Sequence, residues 1–80
     1  MMRLLAELEI SREPIDSSVI ASMGYAAARR ILEIEFHSGN IYDYFDVPEE
    51  EYAAFRNAES KGTYLNQILK LRGYRYIRIR

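Results

Sequence analysis

Hydrophobic and polar positions alternate most cleanly in "RILEIEFH", where Leu32, Ile34 and Phe36 face one way and Glu33 and Glu35 the other. A period of two predicts a strand with one buried face. "SSVIASMGY" reads as an earlier strand, with Val19, Ala21, Met23 and Tyr25 set against Ile20, Ser22 and Gly24. The alanines and arginines of "AAARR" favour helix, and propensity alone would join 21–32 into one helix interrupted by Gly24. The strong strand that follows argues instead for a turn over 26–29.

Parity also sets the next hairpin. A two-residue loop would pair Leu32, Ile34 and Phe36 with Ile41, Asp43 and Phe45 and would bury Asp43. A three-residue loop at 37–39 pairs Phe36 with Asn40, Ile34 with Tyr42 and Leu32 with Tyr44, which turns Asp43 outward. It also sets Gly39 where the turn needs a left-handed residue. A one-residue slip would reverse every side chain.

"DVPE" predicts a helix start, with Asp46 as cap, Glu49 completing a capping box and Pro48 in the first turn. Glu49, Glu50 and Glu51 then sit at the positive end of the helix dipole, a structural reading that leaves no need for a metal. Tyr52, Phe55 and Ala58 form the inward stripe. A second helix follows 60–63, capped by Ser60 or Thr63, with Tyr64, Leu65, Ile68 and Leu69 inward and Gly73 as its stop. "YRYIRIR" closes the chain as an edge strand or an ordered tail. Residues 1–14, ending at Pro14, read as a lead-in with a short helix over 4–10; residues 15–80 form one domain. The fold class is α+β: a small antiparallel β-meander followed by two helices packed on one face.

Eighty residues support one domain with a thin core, burying about 60–65% of the unfolded surface. The chain has no cysteine, so no disulfide or thiolate-bound metal staples it. No apolar run reaches the roughly 20 residues of a membrane helix. "MMRLLAELEISRE" carries Glu7 and Glu9 within its apolar patch and lacks a small-residue cleavage site, unlike a signal peptide. A cytoplasmic location is expected. The net charge of −1 hides a division. Residues 1–60 carry five basic and twelve acidic groups, a net −7, whereas 61–80 carry six basic groups and no acid, a net +6. Such asymmetry points either to an anionic partner or to two halves that neutralise each other.

The order and spacing of several short pieces resemble the KTSC domain family over about residues 15–72. They are Ser17-Ser18, Gly24-Tyr25, Ser38-Gly39, Tyr42-x-Tyr44, Val47-Pro48, Tyr52 and Ser60-x-Gly62-x-Tyr64-x-Asn66. No single piece is specific; their succession is. The sequence departs from the family pattern at "AAARR" and in the basic tail after Gly73. The family is a module at the C-terminus of some lysyl-tRNA synthetases and also a free-standing small bacterial protein. The resemblance implies a small domain with RNA binding as its suggested role.

Tyr42 and Tyr44 have three readings: core aromatics, a platform for stacked bases, or buried rings with exposed hydroxyls. The register turns them toward the helices and favours the core. An acidic outer face built from Glu33, Glu35 and Asp43 would repel phosphate. Nucleic-acid binding is therefore expected at Lys70, Arg72, Arg75, Arg78 and Arg80, since arginine grips phosphate and stacks on bases. The competing reading is an edge strand whose charges discourage edge-to-edge pairing. His37 reads as an exposed turn residue without a second ligand. Ser17 and Ser18 have no activating partner nearby and read as caps of the first strand. Ser60 and Asn66 read as backbone hydrogen-bonders of the helical pair. There is no phosphate loop and no metal spacing. The expectation is a non-catalytic domain with no cofactor and no small-molecule substrate. Its partner is an RNA or tRNA bound through the basic C-terminal segment, or another protein bound on the acidic sheet face or an edge strand. One continuous basic patch would favour RNA; scatter among carboxylates would favour protein.

Overall fold

The computed structural model describes residues 9–80, apart from the side chain of Ile68. The short helix expected over 4–10 falls almost wholly outside the described residues, as does the inward placement of Ile68. Five antiparallel strands form one sheet in sequence order: β1 (Glu13–Pro14), β2 (Ile20–Ala26), β3 (Ile31–Phe36), β4 (Ile41–Tyr44) and β5 (Tyr76–Arg78). Two helices lie on one face. The first, α1, is Glu49–Asn57. The second, α2, spans 61–72 and widens into a π turn at Leu65–Leu69. The α+β fold is the one the sequence predicts.

The central hairpin has the predicted register. Leu32 pairs with Tyr44, Ile34 with Tyr42 and Glu33 with Asp43. The Phe36 amide donates to Asn40 O, and Gly39 takes φ +99°, the left-handed region open to glycine. The turn after β2 closes through Arg29 N–H to Ala26 O and Arg30 N–H to Ala27 O. The tail is a strand: β5 pairs with β4, Tyr76 opposite Tyr44 and Arg78 opposite Tyr42.

β2 departs from simple alternation. Ile20 pairs with Phe36, but the register shifts before Ser22 pairs with Glu35. This bulge adds one residue at Ala21 and reverses the parity ahead of it. Ile20 and Met23 are thus both fully buried, while Val19 is exposed. The expectation that Val19 and Met23 share a face is corrected on that ground.

The start of α1 is also different. Asp46 does not cap it and there is no capping box; Pro48 occupies the cap position without a side-chain bond. Asp46 instead takes φ +59°, a conformation asparagine and aspartate tolerate better than most residues. The turn drops Val47 into the core, where its amide donates to Arg30 O. Ser60 does cap α2, accepting from Thr63 N–H, and Gly73 ends it at φ +71°. Ile20, Met23, Leu32, Ile34 and Tyr44 of the sheet pack against Val47, Phe55 of α1, and Leu65 and Leu69 of α2. Tyr25 of β2 stacks on Tyr52 of α1 at 4.7 Å.

The segment before β1 is part of this architecture. Arg12 donates to Ser22 Oγ at 3.0 Å and pairs with Glu33. Ser11 crosses β2 at Gly24, where a Cβ would lie 2.1 Å from the Ser11 carbonyl oxygen. Glycine is required there by close backbone approach.

Candidate binding groove

Between the open end of the sheet's helix face and the C-terminal end of α2 lies a cavity of about 790 Å³. Its size falls within the range of ligand pockets, roughly 300–1,000 Å³. The sheet floors it with Phe36, Tyr42, Tyr44 and Tyr76, and Tyr74 lines it beyond the end of α2. Phe36 meets Tyr42 edge to face at 5.7 Å, and the Tyr76 ring lies 5.7 Å from Tyr42 and 5.5 Å from Tyr44. Parity produces the row, because cross-strand pairs project from the same face. The rings are not equally committed. Tyr44 is buried, Tyr42 half-buried and Tyr76 57% exposed. Tyr44 is therefore a core residue, with burial pushing its phenol up to about 12, while Tyr42 and Tyr76 show ring surface in the groove.

Polar groups stand at the rim: Ser18, Ser38, Asn40 and His37 on one side and Lys70 on the other. His37 is exposed in its turn, bonding Ser17 O through Nε2 at 2.8 Å. Ser17 Oγ receives the Val19 and Ile20 amides and so caps the approach to β2.

A buried carboxylate fixes the helical wall. Glu51 of α1 is 7% exposed. It accepts from Tyr64 and Tyr74, the latter at 2.8 Å, and pairs with Arg72. Burial pushes the carboxyl up, but the two phenols and the guanidinium outweigh it and hold the group below its usual value. Burial and the Glu51 charge push Tyr74 up to about 12. Reading Glu51 only as a dipole partner missed this role. The signal was available: Glu51 precedes the buried Phe55 by four residues and so shares its face.

The outer sheet face is not the open acidic surface the sequence suggests. Glu33 is buried beneath Arg12, and Ser22 donates to Glu35, which also meets Arg80 at 3.5 Å. Asp43, opposite Glu33, is half-buried with its Oδ1 unpartnered. Burial, then a hydrogen bond with Glu33 and that group's charge, push the Asp43 carboxyl up to about 7 against Arg29 and Arg12. The segment 9–14 folds over this face, and strand parity carries no signal of that.

The five basic residues do not share one surface. Lys70 lines the groove, and Arg78 leaves the same sheet face as Tyr42. Arg72 is held by Glu51, Arg75 lies over the Phe45 ring at 5.0 Å, and Arg80 meets Glu35. Among the described residues no group of three or more His, Cys, Asp or Glu could hold a metal ion, and no helix is long and apolar enough to cross a membrane.

The family model of the KTSC domain matches residues 16–76. The chain belongs to the KTSC domain family. A crystal structure of a KTSC domain protein from Yersinia pestis superposes on it with a TM-score of 0.84 at 35% identity, covering 90% of this chain and all of that one. An uncharacterized protein of Stutzerimonas stutzeri is 43% identical over 70 residues, 88% of this chain and 99% of that protein. A lysine–tRNA ligase of Nostoc punctiforme is 40% identical over 55 residues, 69% of this chain but 10% of the ligase. The KTSC domain thus occurs both as nearly a whole protein and as a small part of a large one.

Proposed function

We propose that this KTSC domain is a non-catalytic RNA-binding module that takes a short single-stranded segment along the end of α2 and the inner face of β5. Lys70 and Arg78 supply the phosphate contacts. Taken whole, the basic segment is scattered among carboxylates, the arrangement that favours a protein partner; the RNA reading is carried instead by the placement of Lys70 and Arg78. They flank the tyrosine-floored groove and form no ion pair among the described residues, whereas Arg72 and Arg80 are each bonded to a carboxylate. Arg75 lies over Phe45 at the other face, outside this path. Support also comes from the relatives named lysine–tRNA ligase, enzymes whose other partner is an RNA.

The test is fluorescence anisotropy with a single-stranded RNA of about eight nucleotides, within the span such sites cover. The parent binds, and the double substitution Lys70→Gln, Arg78→Gln weakens binding to all sequences alike, because phosphate contacts carry no direct sequence information. An unchanged affinity in the double variant would remove these two residues from the account.

A second reading has its own observation. Ile77 of β5 and Ile79 just beyond it are about half exposed, and the far edge of β5 is unpaired in the sheet. An edge of this kind accepts an added strand from a protein partner. Absence of RNA binding at low salt would transfer preference to that edge.

A further inference from the structure

We infer that the groove is a seat for one unpaired nucleobase, held between the Tyr42 and Tyr76 rings on the sheet and the Lys70 end of α2. The inference rests on the RNA-binding reading and adds to it a place and a chemistry for the base. Three features select the ligand. The floor offers flat aromatic surface that is half open: Tyr76 is 57% exposed and Tyr42 half-buried, while their neighbour Tyr44 is sealed in the core. A base stacks on such rings whatever its identity, since every base has a π face. The rim then offers groups suited to a base edge. The Asn40 amide both donates and accepts, and the Ser18 and Ser38 hydroxyls do the same. Finally, the cations lie where a nucleotide's phosphates leave the seat, Lys70 on the helix side and Arg78 beside Tyr42.

An aliphatic side chain would leave the rim groups without partners, which is unfavourable on burial. A proline-rich peptide would use the rings but not the two cations. Glu51 contributes indirectly. By holding Tyr64, Tyr74 and Arg72 it fixes the last turn of α2 and so the distance of Lys70 from the sheet. A purine covers more ring surface than a pyrimidine and is preferred.

The test uses the whole chain and a uridine oligonucleotide of about eight residues carrying one central 2-aminopurine, a fluorescent adenine analogue. A second oligonucleotide has an abasic site at that position. Binding is expected to quench the 2-aminopurine, and the abasic oligonucleotide to bind about 5- to 150-fold more weakly, the span of one stacked base. Tyr76→Leu, at an exposed position, should erase both the quenching and the difference, with thermal unfolding like the parent's. Equal binding of both oligonucleotides without quenching would overturn the seat while leaving the phosphate reading intact. Failure of both to bind at low salt would overturn the reading itself. Displacement of bound oligonucleotide by a polyproline peptide, at equal affinity in Lys70→Gln and parent, would overturn the nucleobase as the occupant.

Discussion

Glu51 joins α1 to the end of α2 because three donors from residues 64–74 converge on one buried carboxylate. Removing the acceptor strands those donors, so Glu51→Ala is expected to cost about 2–3 kcal/mol, read by urea unfolding near neutral pH. The pH dependence has two limbs. The Glu51 carboxyl lies below its usual value, so its stabilisation is present above that value and is lost as pH falls through the lowered one. Tyr74 is raised to about 12, so its contribution is present below the ordinary tyrosine value and fades as pH rises through about 12. The Ala variant should show a flatter acid limb; an unchanged acid limb would separate Glu51 from this role.

Asp43 has the opposite sign to Glu51. Its carboxyl is raised to about 7, so its favourable contribution is complete below the ordinary aspartate value and is lost as pH rises through about 7. Asp43→Asn keeps the shape and removes the charge repulsion with Glu33. The variant should be more stable than the parent above pH 7, with a gap that narrows toward pH 4 in thermal melts. Equal melting temperatures at pH 8 would contradict the repulsion between Asp43 and Glu33.

At the scale of elements, the β3–β4 hairpin was legible because two independent constraints agree, apolar parity and the position of Gly39. Gly39→Ala is expected to destabilise by about 1 kcal/mol or more. No neighbour obstructs a Cβ there, so the cost is that of a left-handed alanine alone. β2 was legible as a strand but not in its facing. Its bulge is set by pairing with β3, and a single inserted residue leaves no mark on composition. The Asp46 cap failed for a related reason. Three residues before Glu49, Asp46 fits a capping pattern, but the chain uses it to reverse direction after β4. Gly24 tests the docking of the N-terminal segment over the sheet. An added Cβ meets backbone rather than a movable side chain, so Gly24→Ala should lower stability by about 1–3 kcal/mol and speed exchange at the Ile15 amide, which bonds Ala21 O. Unchanged exchange would show that the segment yields freely.

At the scale of the whole molecule, the split between an acidic first part and a basic last part is visible in the sequence, but its resolution is spatial. Two of the five residues of the expected basic site are paired within the chain, Arg72 on Glu51 and Arg80 on Glu35, and the acidic outer face is shielded by Arg12. What remains is a smaller feature that no stretch of sequence displays, because it joins residues from β3, β4, β5 and α2. Parity placed Tyr42 and Tyr44 on the helix face, and charge marked Lys70 and Arg78 together with Arg72, Arg75 and Arg80. Only the packing of α2 brings the tyrosines, Lys70 and Arg78 to one groove.

The measurement closest to the central claim is the salt dependence of RNA affinity. If Lys70 and Arg78 neutralise two phosphates, log affinity against log salt should fall with a slope of about −1.4 for a single strand. The Lys70→Gln, Arg78→Gln variant should lose most of that slope with its thermal unfolding unchanged. A slope near zero in the parent, or an equal slope in parent and variant, would contradict the account.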